Sequence, residues 1–431
     1  MTDPSQDKVR AQYEQMPYPP VDPQDEQHRL VHTWVDHLPM VNHYCFAGRQ
    51  SFDNGFRVLV AGGGTGSGTI FLAEQLRATD ARIVHLDFSA ASMAIAQQRA
   101  AVRGLHNIEW IHESLLNLPT LGLEPFHFIN CIGVLHHLAD PEAGLQALKS
   151  VLRDDGALAL MVYGKYGRTG IYQMQELMRQ VNAGEAGIAA ELDNTRQLME
   201  LLPRSNWFMR CEDLWRADMN SDADLYDIVL HSQDCSYTVE EIYTWLVDGH
   251  GFSLALSSVG RGLSAYLPRM VLPPTRAAVL ARIERQPLRR QYAIAELLGG
   301  KIMTHVFYAT RSSTCRAAYG DAEMVPFFYN EPLTGAQVAA IYRQHHGKPF
   351  WLDHKHLGLT IAVEPGRHAA EIFQQVDGQR SFQQIFDLVR AEPANRQAQP
   401  TNAQLFDDFW DDFHILNAIE RILLRHQSVP G

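Results

Sequence analysis

Residues 58–68 read VLVAGGGTGSG, a short apolar run that passes directly into glycines. Glycine has no Cβ atom, so its backbone can turn through positive φ and let a ligand approach the main chain closely. Gly62, Gly64 and Gly66 have the spacing G-x-G-x-G, whereas a dinucleotide fingerprint needs glycine where Ser67 stands. The sequence also lacks the phosphate-binding pattern G-x-x-x-x-G-K-[ST]. The segment therefore predicts a buried strand, a ligand-binding turn and a helix.

Short apolar runs alternate with segments of helical spacing from residue 56 to residue 163. Such alternation predicts parallel β-α-β units with both faces of the sheet covered. We therefore expect an α/β fold with a doubly wound, mostly parallel, seven-stranded Rossmann-like sheet, completed after a helical insertion. The predicted strands are Arg57–Ala61, Arg82–Leu86, Ile108–Ile111, Phe126–Cys131, Ala157–Val162, Phe252–Ser258 and Met303–Thr310.

Asp87 ends the second predicted strand, about 20 residues after the glycine segment. A carboxylate at the tip of this strand can accept hydrogen bonds from both hydroxyl groups of a ribose. The same residue could instead stabilise the start of the helix predicted at Ala90–Arg103. The two roles are compatible, and the glycine segment favours ribose binding.

Three further motifs follow the glycine segment in a fixed order. They are DFS at residues 87–89, FINCIGVLHHLADP at residues 128–141 and VLRDDGAL at residues 151–158. Together with residues 58–68, they resemble the successive motifs of class I S-adenosyl-L-methionine (SAM)-dependent methyltransferases. The strand around residues 304–307 resembles the last strand of that fold. The resemblance implies SAM as cofactor, S-adenosyl-L-homocysteine as product and no metal ion.

This resemblance also implies roles for individual residues. Gly62, Gly64 and Gly66 would line the cofactor, and Asp87 would bind its ribose. The residues expected near the adenine are Phe88, Ser114 and Leu115. Those expected near the sulfonium are Cys131, Ile132 and Gly133. The candidate catalytic residues at the mouth of the site are His136, His137 and Tyr166.

The chain is longer than a catalytic core requires. We expect its additional segments to enlarge the surface that recognises the substrate. Segment 1–50, with its prolines between residues 16 and 23, is expected to form an extended arm that acts as a lid. Segment 51–169 is the predicted SAM-binding core, 170–250 a helical insertion for substrate recognition, and 251–319 the completion of the sheet. Segment 333–431 is predicted to be an α+β module, with a helix at Gln404–Arg425. Its residues 376–385 resemble small winged-helix peptide-carrier modules.

Aromatic walls suit a methylammonium product, because a cation is attracted to the face of an aromatic ring. The candidate walls are Tyr13, Tyr18, Tyr163 and Tyr172, although tyrosines at such positions could equally be packing residues. A second group, Asp227, His231, Asp234 and Tyr237, has a spacing that could place its first three members on one helix face. This group could line the substrate pocket, be structural or, as the least favoured alternative, bind a metal ion.

Lys and Arg number 37 against 49 Asp and Glu, for a formal net charge of −12. An acidic chain disfavours nucleic-acid binding and favours a basic partner through electrostatic steering. The five cysteines are scattered without a C-x-x-C pair, as in a reduced cytoplasmic protein. No apolar run approaches the length of about 20 residues that spans a bilayer, so no membrane association is expected.

These observations favour methyl transfer to an amine, in particular to a lysine of a basic protein or peptide. The size and layout resemble those of bacterial lysine methyltransferases that modify elongation factor Tu. One alternative is a small-molecule N- or O-methyltransferase whose helical insertion covers a metabolite or natural product. Another is a SAM-binding regulatory protein without turnover.

Overall fold

The computed structural model describes residues 4–184, 187–257, 262–272, 278–330, 332–354 and 358–430. Strands and helices alternate in the first half of the chain, as the sequence predicts. The strands are β1 (Arg57–Ala61), β2 (Arg82–Asp87), β3 (Ile108–His112), β4 (Phe126–Ile132), β5 (Leu152–Gly164), β6 (Ser236–Tyr237), β7 (Ser253–Ser257), β8 (Thr304–Thr310), β9 (Met324–Phe328), β10 (Phe350–His354), β11 (Leu359–Val363) and β12 (Ile422–His426).

The α-helices fall mainly in the insertion and the C-terminal part. They are α1 (Pro4–Gln15), α2 (Leu38–Cys45), α3 (Ser67–Gln75), α4 (Ala90–Arg103), α5 (Pro141–Ser150), α6 (Thr169–Val181), α7 (Ile188–Leu201), α8 (Trp207–Arg210), α9 (Glu212–Trp215), α10 (Asp222–Leu225), α11 (Val239–Ile242), α12 (Pro268–Val271), α13 (Ala278–Glu284), α14 (Leu288–Gly299), α15 (Gly335–Gln344), α16 (Ala369–Gln375), α17 (Phe382–Ala391) and α18 (Asn402–Ala418). Across the described ranges, every helix is too short or too polar to cross a bilayer.

The chain divides into two compact units that are interleaved along the sequence. The first consists of residues 1–36, 52–245 and 300–306, and the second of residues 37–51, 246–299 and 307–431. Segment 333–431 therefore shares a unit with residues from much earlier in the chain. The start of β8 belongs to the first unit and the rest of β8 to the second.

The first unit contains the parallel part of the main sheet. β1 pairs in parallel with β2 and β4, β2 with β3, and β4 with β5. The strand order is β3-β2-β1-β4-β5-β8-β7, with the short β6 paired to β5. This arrangement confirms the doubly wound α/β fold. Because the parallel strands all point one way, the ends of β1, β2, β3 and β4 meet at one edge of the sheet, where ligands bind in such folds.

The helical insertion packs around its own apolar core in the first unit. Ile171, Met174 and Met178 lie one helical turn apart on α6, and all three are buried. They pack with Phe208 and Trp215, whose rings stack with centroids 4.1 Å apart. The insertion is therefore a folded part of the first unit. It also contributes β6, which the sequence analysis did not predict.

The N-terminal segment differs from the predicted extended arm. It begins with α1, and short 3-10 helices follow at Pro23–Gln27 and Trp34–Asp36. Between Gln15 and Pro23 the chain is not helical, and the prolines there disfavour helix. Below, residues 4–36 are called the N-terminal arm.

In the second unit, the predicted helix Gln404–Arg425 is wrong at its end. α18 stops at Ala418, Glu420 adopts a φ of +56°, and the chain then forms β12. β12 pairs antiparallel with β9, which lies between the predicted segments 251–319 and 333–431. β10 and β11 form a separate antiparallel hairpin. Periodicity alone suggested one helix because seven of the ten residues from 415 to 424 are apolar, and such a run suits a helix and a strand alike.

Candidate active site

The glycine turn lies between β1 and α3, as predicted. Gly64 has a φ of +53° and Gly66 a φ of +94°, conformations that side chains with a Cβ atom rarely adopt. A Cβ atom on Gly64 would lie only 2.7 Å from the carbonyl oxygen of Tyr18 in the N-terminal arm. The hydroxyl of Thr65 donates a 2.8 Å hydrogen bond to the carbonyl oxygen of Pro19. The turn is therefore bare backbone, and the arm contacts it directly.

Asp87 joins this turn to the start of α4. Its Oδ2 accepts a 2.7 Å hydrogen bond from the backbone N–H of Gly64, and its Oδ1 accepts one of 2.8 Å from Ser89. Burial raises the pKa of Asp87, while these two backbone donors oppose the rise. Ser89 in turn caps α4 by accepting from the N–H of Ser92. Asp87 thus supports the start of α4 through Ser89, and it lies at the position expected for ribose binding.

The N-terminal arm is attached to α4 by acidic side chains. Glu14 accepts hydrogen bonds from the N–H groups of Ala90 and Ala91, at 2.7 and 3.2 Å, where the helix dipole favours a negative charge. Glu26 forms buried ion pairs with Arg99 and Arg103. The arm is therefore attached along α4 by both of these acidic residues.

The other predicted cofactor residues lie at the same edge. Leu115 starts a 3-10 helix just after β3, and Ser114 caps that helix. The backbone N–H of Glu113 donates to the carbonyl oxygen of Asp87, so the end of β3 lies beside the end of β2. Cys131 and Ile132 end β4, and burial raises the pKa of the Cys131 thiol to about 12. Phe88 is half-buried and packs edge-on against Tyr13 with ring centroids 6.3 Å apart, and Gly133 has a φ of +78°.

A buried polar cluster surrounds Asp227. The hydroxyl of Tyr13 donates a 3.0 Å hydrogen bond to Oδ1 of Asp227, and that of Tyr163 lies 3.4 Å from Oδ2. The Tyr13 hydroxyl is also 3.5 Å from Nε2 of His231, whose ring stacks on His137 with centroids 3.9 Å apart. We call Tyr13, His137, Tyr163, Asp227 and His231 the Asp227 cluster. The structure thus brings together residues from the arm, from the segments after β4 and in β5, and from the insertion.

Hydrogen bonds to Gln233 determine which nitrogen carries the proton in two of these histidines. Nδ1 of His137 lies 3.0 Å from the carbonyl oxygen of Gln233, so Nδ1 carries the hydrogen and Nε2 keeps its lone pair. Nδ1 of His231 accepts a 3.1 Å hydrogen bond from the N–H of Gln233, so neutral His231 carries its hydrogen on Nε2. Burial is the largest cause that lowers the pKa of both imidazoles, and both are therefore neutral near pH 7.

His137, Asp227 and His231 each offer one potential metal-ligating atom, and these atoms lie within 4.8 Å of one another. However, a histidine that binds a metal through one nitrogen normally donates a hydrogen bond from the other. His137 satisfies this condition, whereas Nδ1 of His231 accepts a hydrogen bond. The tautomer of His231 therefore disfavours a metal ion.

Arg168 and Asp234 form a second buried group next to the cluster. The guanidinium of Arg168 lies over the ring of Tyr163, with Cζ 3.5 Å from the centroid, and pairs with Asp234 at 3.5 Å. Asp234 also accepts a 3.0 Å hydrogen bond from Gln175. Arg168 and Gln233 were not among the residues predicted from the sequence. Arg168 follows the end of β5 and could have been found from the convergence of strand ends, whereas Gln233 acts through its backbone and has no sequence signal.

The remaining predicted residues lie around or outside the cluster. His136 is fully buried, and its ring lies 3.8 Å from that of Tyr163. Tyr18 and Tyr172 flank the site, Tyr172 with its ring 5.6 Å from the Arg168 guanidinium. Tyr237 stacks on Trp245 instead, and Tyr166 is exposed. Asp227, His231 and Asp234 do not share a helix face, because a π-helical turn at Tyr226–Leu230 ends before His231.

This fold, with a bare glycine turn and an acidic residue ending β2, defines a class I SAM-dependent methyltransferase domain. The chain carries such a domain: residues 59–158 match the family model described as "Methyltransferase domain". SAM is its cofactor. The residues that fit the cofactor are the glycine turn, which has no Cβ atoms in the way, and the carboxylate of Asp87.

Known proteins similar to the chain include two relatives by sequence and one by structure. An uncharacterised protein of Synechococcus sp. is 34% identical over 249 residues, which cover 57% of this chain and 58% of that protein. The tRNA 5-carboxymethoxyuridine methyltransferase of Escherichia coli is 37% identical over 112 residues, covering 26% and 41%. The chain thus spans less than two thirds of the length of these relatives. The structure of PKMT2 from Rickettsia typhi in complex with AdoHcy is 12% identical, with a TM-score of 0.61 over 95% of this chain and 77% of that one.

Proposed function

We propose that the chain transfers the methyl group of SAM to an amine nitrogen held at the Asp227 cluster. The observation that carries this proposal is the position of Tyr13. Its ring packs against Phe88, expected beside the adenine, while its hydroxyl donates to the carboxylate of Asp227. One residue therefore links the cofactor side of the sheet edge to the acidic cluster.

The charges of the cluster favour a cationic acceptor group. Asp227 and Asp234 supply two buried carboxyl groups, and Arg168 supplies one buried guanidinium. An ammonium ion would offset the remaining negative charge, and a buried carboxylate needs such a partner. The rings of Tyr13 and Tyr163 would add cation–π attraction for the methylammonium product.

SAM supplies a methyl group already activated by its positively charged sulfur. The chain's own residues therefore need mainly to orient the amine, exclude water and remove one proton. The N-terminal arm would exclude water, since it contacts the glycine turn and places the hydroxyl of Tyr13 against Asp227. Asp227 would orient the ammonium group through one of its carboxylate oxygens.

Within this proposal, the acceptor is a lysine of a basic protein or peptide in the cytoplasm, such as a translation factor. The net charge of −12 supports a basic partner and disfavours tRNA. A small-molecule N- or O-methyltransferase remains the second candidate, and its supporting observation is the folded helical insertion, which could cover a metabolite. A SAM-binding regulatory protein without turnover is the third.

One experiment separates these candidates. The purified chain is incubated with SAM carrying a labelled methyl group and with a cell extract, which is then fractionated into protein, RNA and small molecules. We expect the label in protein, recovered as methyllysine after hydrolysis. Label only in small molecules would favour the second candidate, and label in RNA would contradict the proposed acceptor. SAM binding measured by calorimetry without any transfer of label would favour the third.

A further inference from the structure

We infer that Nε2 of His137 takes the proton from the acceptor amine and that His231 is a positioning residue rather than a metal ligand. This inference rests on the proposed function, because it assigns the base for that reaction. It chooses between candidate bases that the sequence could not separate.

In neutral His137, Nε2 carries a free lone pair. The carbonyl oxygen of Gln233 accepts from Nδ1, which leaves Nε2 unprotonated. No hydrogen bond to Nε2 occurs among the residues that the structure describes. The carbonyl of Gln233 also fixes the orientation of the ring, as in catalytic histidines whose distal nitrogen is held by an acceptor. His137 is therefore a neutral base with a fixed direction.

The backbone of Gln233 forms a hydrogen bond with each of the two histidines. Its carbonyl oxygen accepts from His137 and its N–H donates to His231, so one residue gives the two rings opposite tautomers. The Nε2–H of His231 lies 3.5 Å from the Tyr13 hydroxyl, which donates to Asp227. His231 thus supports the orientation of Tyr13 and, by stacking, that of His137.

The surroundings of His137 have opposing effects on its pKa. Burial lowers the pKa of His137, whereas the negative charge of Asp227 raises it. An imidazolium formed in the reaction would therefore be stabilised by Asp227. The titratable and charged groups around His137 are His136 on the same 3-10 helix, Tyr163 on β5, Arg168 before α6, Tyr13 on α1, and Asp227, His231 and Asp234 in the insertion.

The other two candidate bases fit less well. His136 is fully buried, and its ring lies between those of His137 and Tyr163, with centroids 4.2 and 3.8 Å away. Arg168, His137 and His231 all lower the pKa of His136, in addition to burial. Tyr166 is exposed to solvent, and its carbonyl oxygen accepts a hydrogen bond from the hydroxyl of Thr169 at the start of α6. The ring of His137, by contrast, stacks directly on that of His231.

The ammonium group gives a proton to Nε2 of His137, which becomes an imidazolium ion. The free amine then forms a carbon–nitrogen bond with the methyl group, and the carbon–sulfur bond breaks with its electron pair moving to sulfur. The products are a methylammonium ion and uncharged S-adenosyl-L-homocysteine. The proton on His137 passes to solvent when the product leaves.

The kinetic test compares His137→Asn with His231→Asn. The asparagine side chain can keep the contact that each Nδ1 makes with Gln233, but it removes Nε2. The acceptor is the extract protein that takes up the methyl label. We expect H137N to lower kcat/KM about 100-fold or more at pH 7 and less at pH 9.5, where more of the amine is already free. H231N should cause a smaller loss, about tenfold at both pH values, and H106N at an exposed histidine should cause none.

SAM affinity should be the same in H137N and the wild type. An equal kcat/KM for H137N and the wild type at both pH values would overturn the inference. A loss for H137N that does not change with pH would also overturn it, because removal of a base must matter less when the amine is already deprotonated. A wild type that labels no amine would instead refute the proposed function.

A second measurement does not need the acceptor. Histidine-selective 15N labelling of the full chain, with assignment from the two variants, should show an Nδ1–H tautomer at His137 and an Nε2–H tautomer at His231. Elemental analysis of the purified chain should show no stoichiometric zinc after incubation with zinc and desalting. Stoichiometric zinc that is lost in H231N would establish a metal site and overturn the inference. An Nδ1–H tautomer at His231 would contradict the tautomer on which the inference rests and would also overturn it.

Discussion

The backbone N–H of Gly64 donates a 2.7 Å hydrogen bond to Oδ2 of Asp87, so the carboxylate expected to bind the ribose also holds the glycine turn in place. Its other oxygen accepts from the N–H of Ser89 at the start of α4. A carboxylate has about four lone-pair sites, so two remain for ribose hydroxyl groups. We therefore expect cofactor binding and the local structure of the turn to depend on the same side chain.

Replacing Asp87 should weaken cofactor binding strongly. Hydrogen bonds to a charged group contribute about 1.5–3 kcal/mol each, so Asp87→Ala should raise the Kd for SAM at least about tenfold in calorimetry. The matched control is Asp80→Asn, because Asp80 accepts a backbone hydrogen bond from Gly55 at an exposed turn outside the glycine segment. Equal SAM affinity in D87A and the wild type would contradict the assigned role of Asp87.

Gly64→Ala should affect both the backbone and the arm. The turn holds residue 64 at a positive φ, which costs about 1–2 kcal/mol for a residue with a Cβ atom. The new Cβ atom would also lie 2.7 Å from the Tyr18 carbonyl oxygen. Gly104→Ala is the matched control, since Gly104 has a φ of +64° and an added methyl group there would meet no atom within 4 Å. We expect G104A to lose stability only, and G64A to lose stability, SAM affinity and resistance of the arm to proteolysis. Identical behaviour of the two variants would show that the arm does not contact the turn.

Glu26 should be the main attachment of the N-terminal arm. Its carboxylate is almost fully buried between Arg99 and Arg103, and removing one partner of a buried ion pair costs about 3–5 kcal/mol. Glu26→Gln should therefore lower the melting temperature clearly and make the arm more sensitive to protease. Glu176→Gln breaks an exposed pair with Arg179 and should leave both properties unchanged. A protease-resistant arm in E26Q would show that Glu14 and the contacts at Tyr18 suffice.

Local sequence signals predicted the parts of the structure that depend on short-range chemistry. The glycine turn at residues 62–66 and the strand ending at Asp87 both occur where expected. Each of these features is determined by a few neighbouring residues. The strand β12 was missed because its first three residues are apolar and buried, a pattern that helices and strands share.

The Asp227 cluster could be predicted only in part. Its members are up to 218 residues apart in the chain, as for Tyr13 and His231. Their residue types pointed to a polar site, and the resemblance to methyltransferases placed His137 near its mouth. The tautomers, however, depend on the backbone of Gln233, whose direction no side-chain pattern encodes. Assigning a base therefore required the folded structure.

The stability of the second unit should depend on the ionisation of Asp412 on α18. Burial raises the pKa of Asp412 from 3.8 to about 6, against the opposing effect of the 2.9 Å hydrogen bond from the Gly366 N–H. A raised pKa means that protonation favours folding, so this stabilisation is complete below about pH 3.8 and is lost as the pH rises through 6. Asp412→Asn should therefore be more stable than the wild type by about 1–3 kcal/mol at pH 7 and equal to it near pH 4, measured by denaturant unfolding. Asp411→Asn, at an exposed position on the same helix, should follow the wild type at both pH values. A difference between D412N and the wild type that stays constant from pH 4 to pH 7 would show that Asp412 keeps an ordinary pKa in the folded chain.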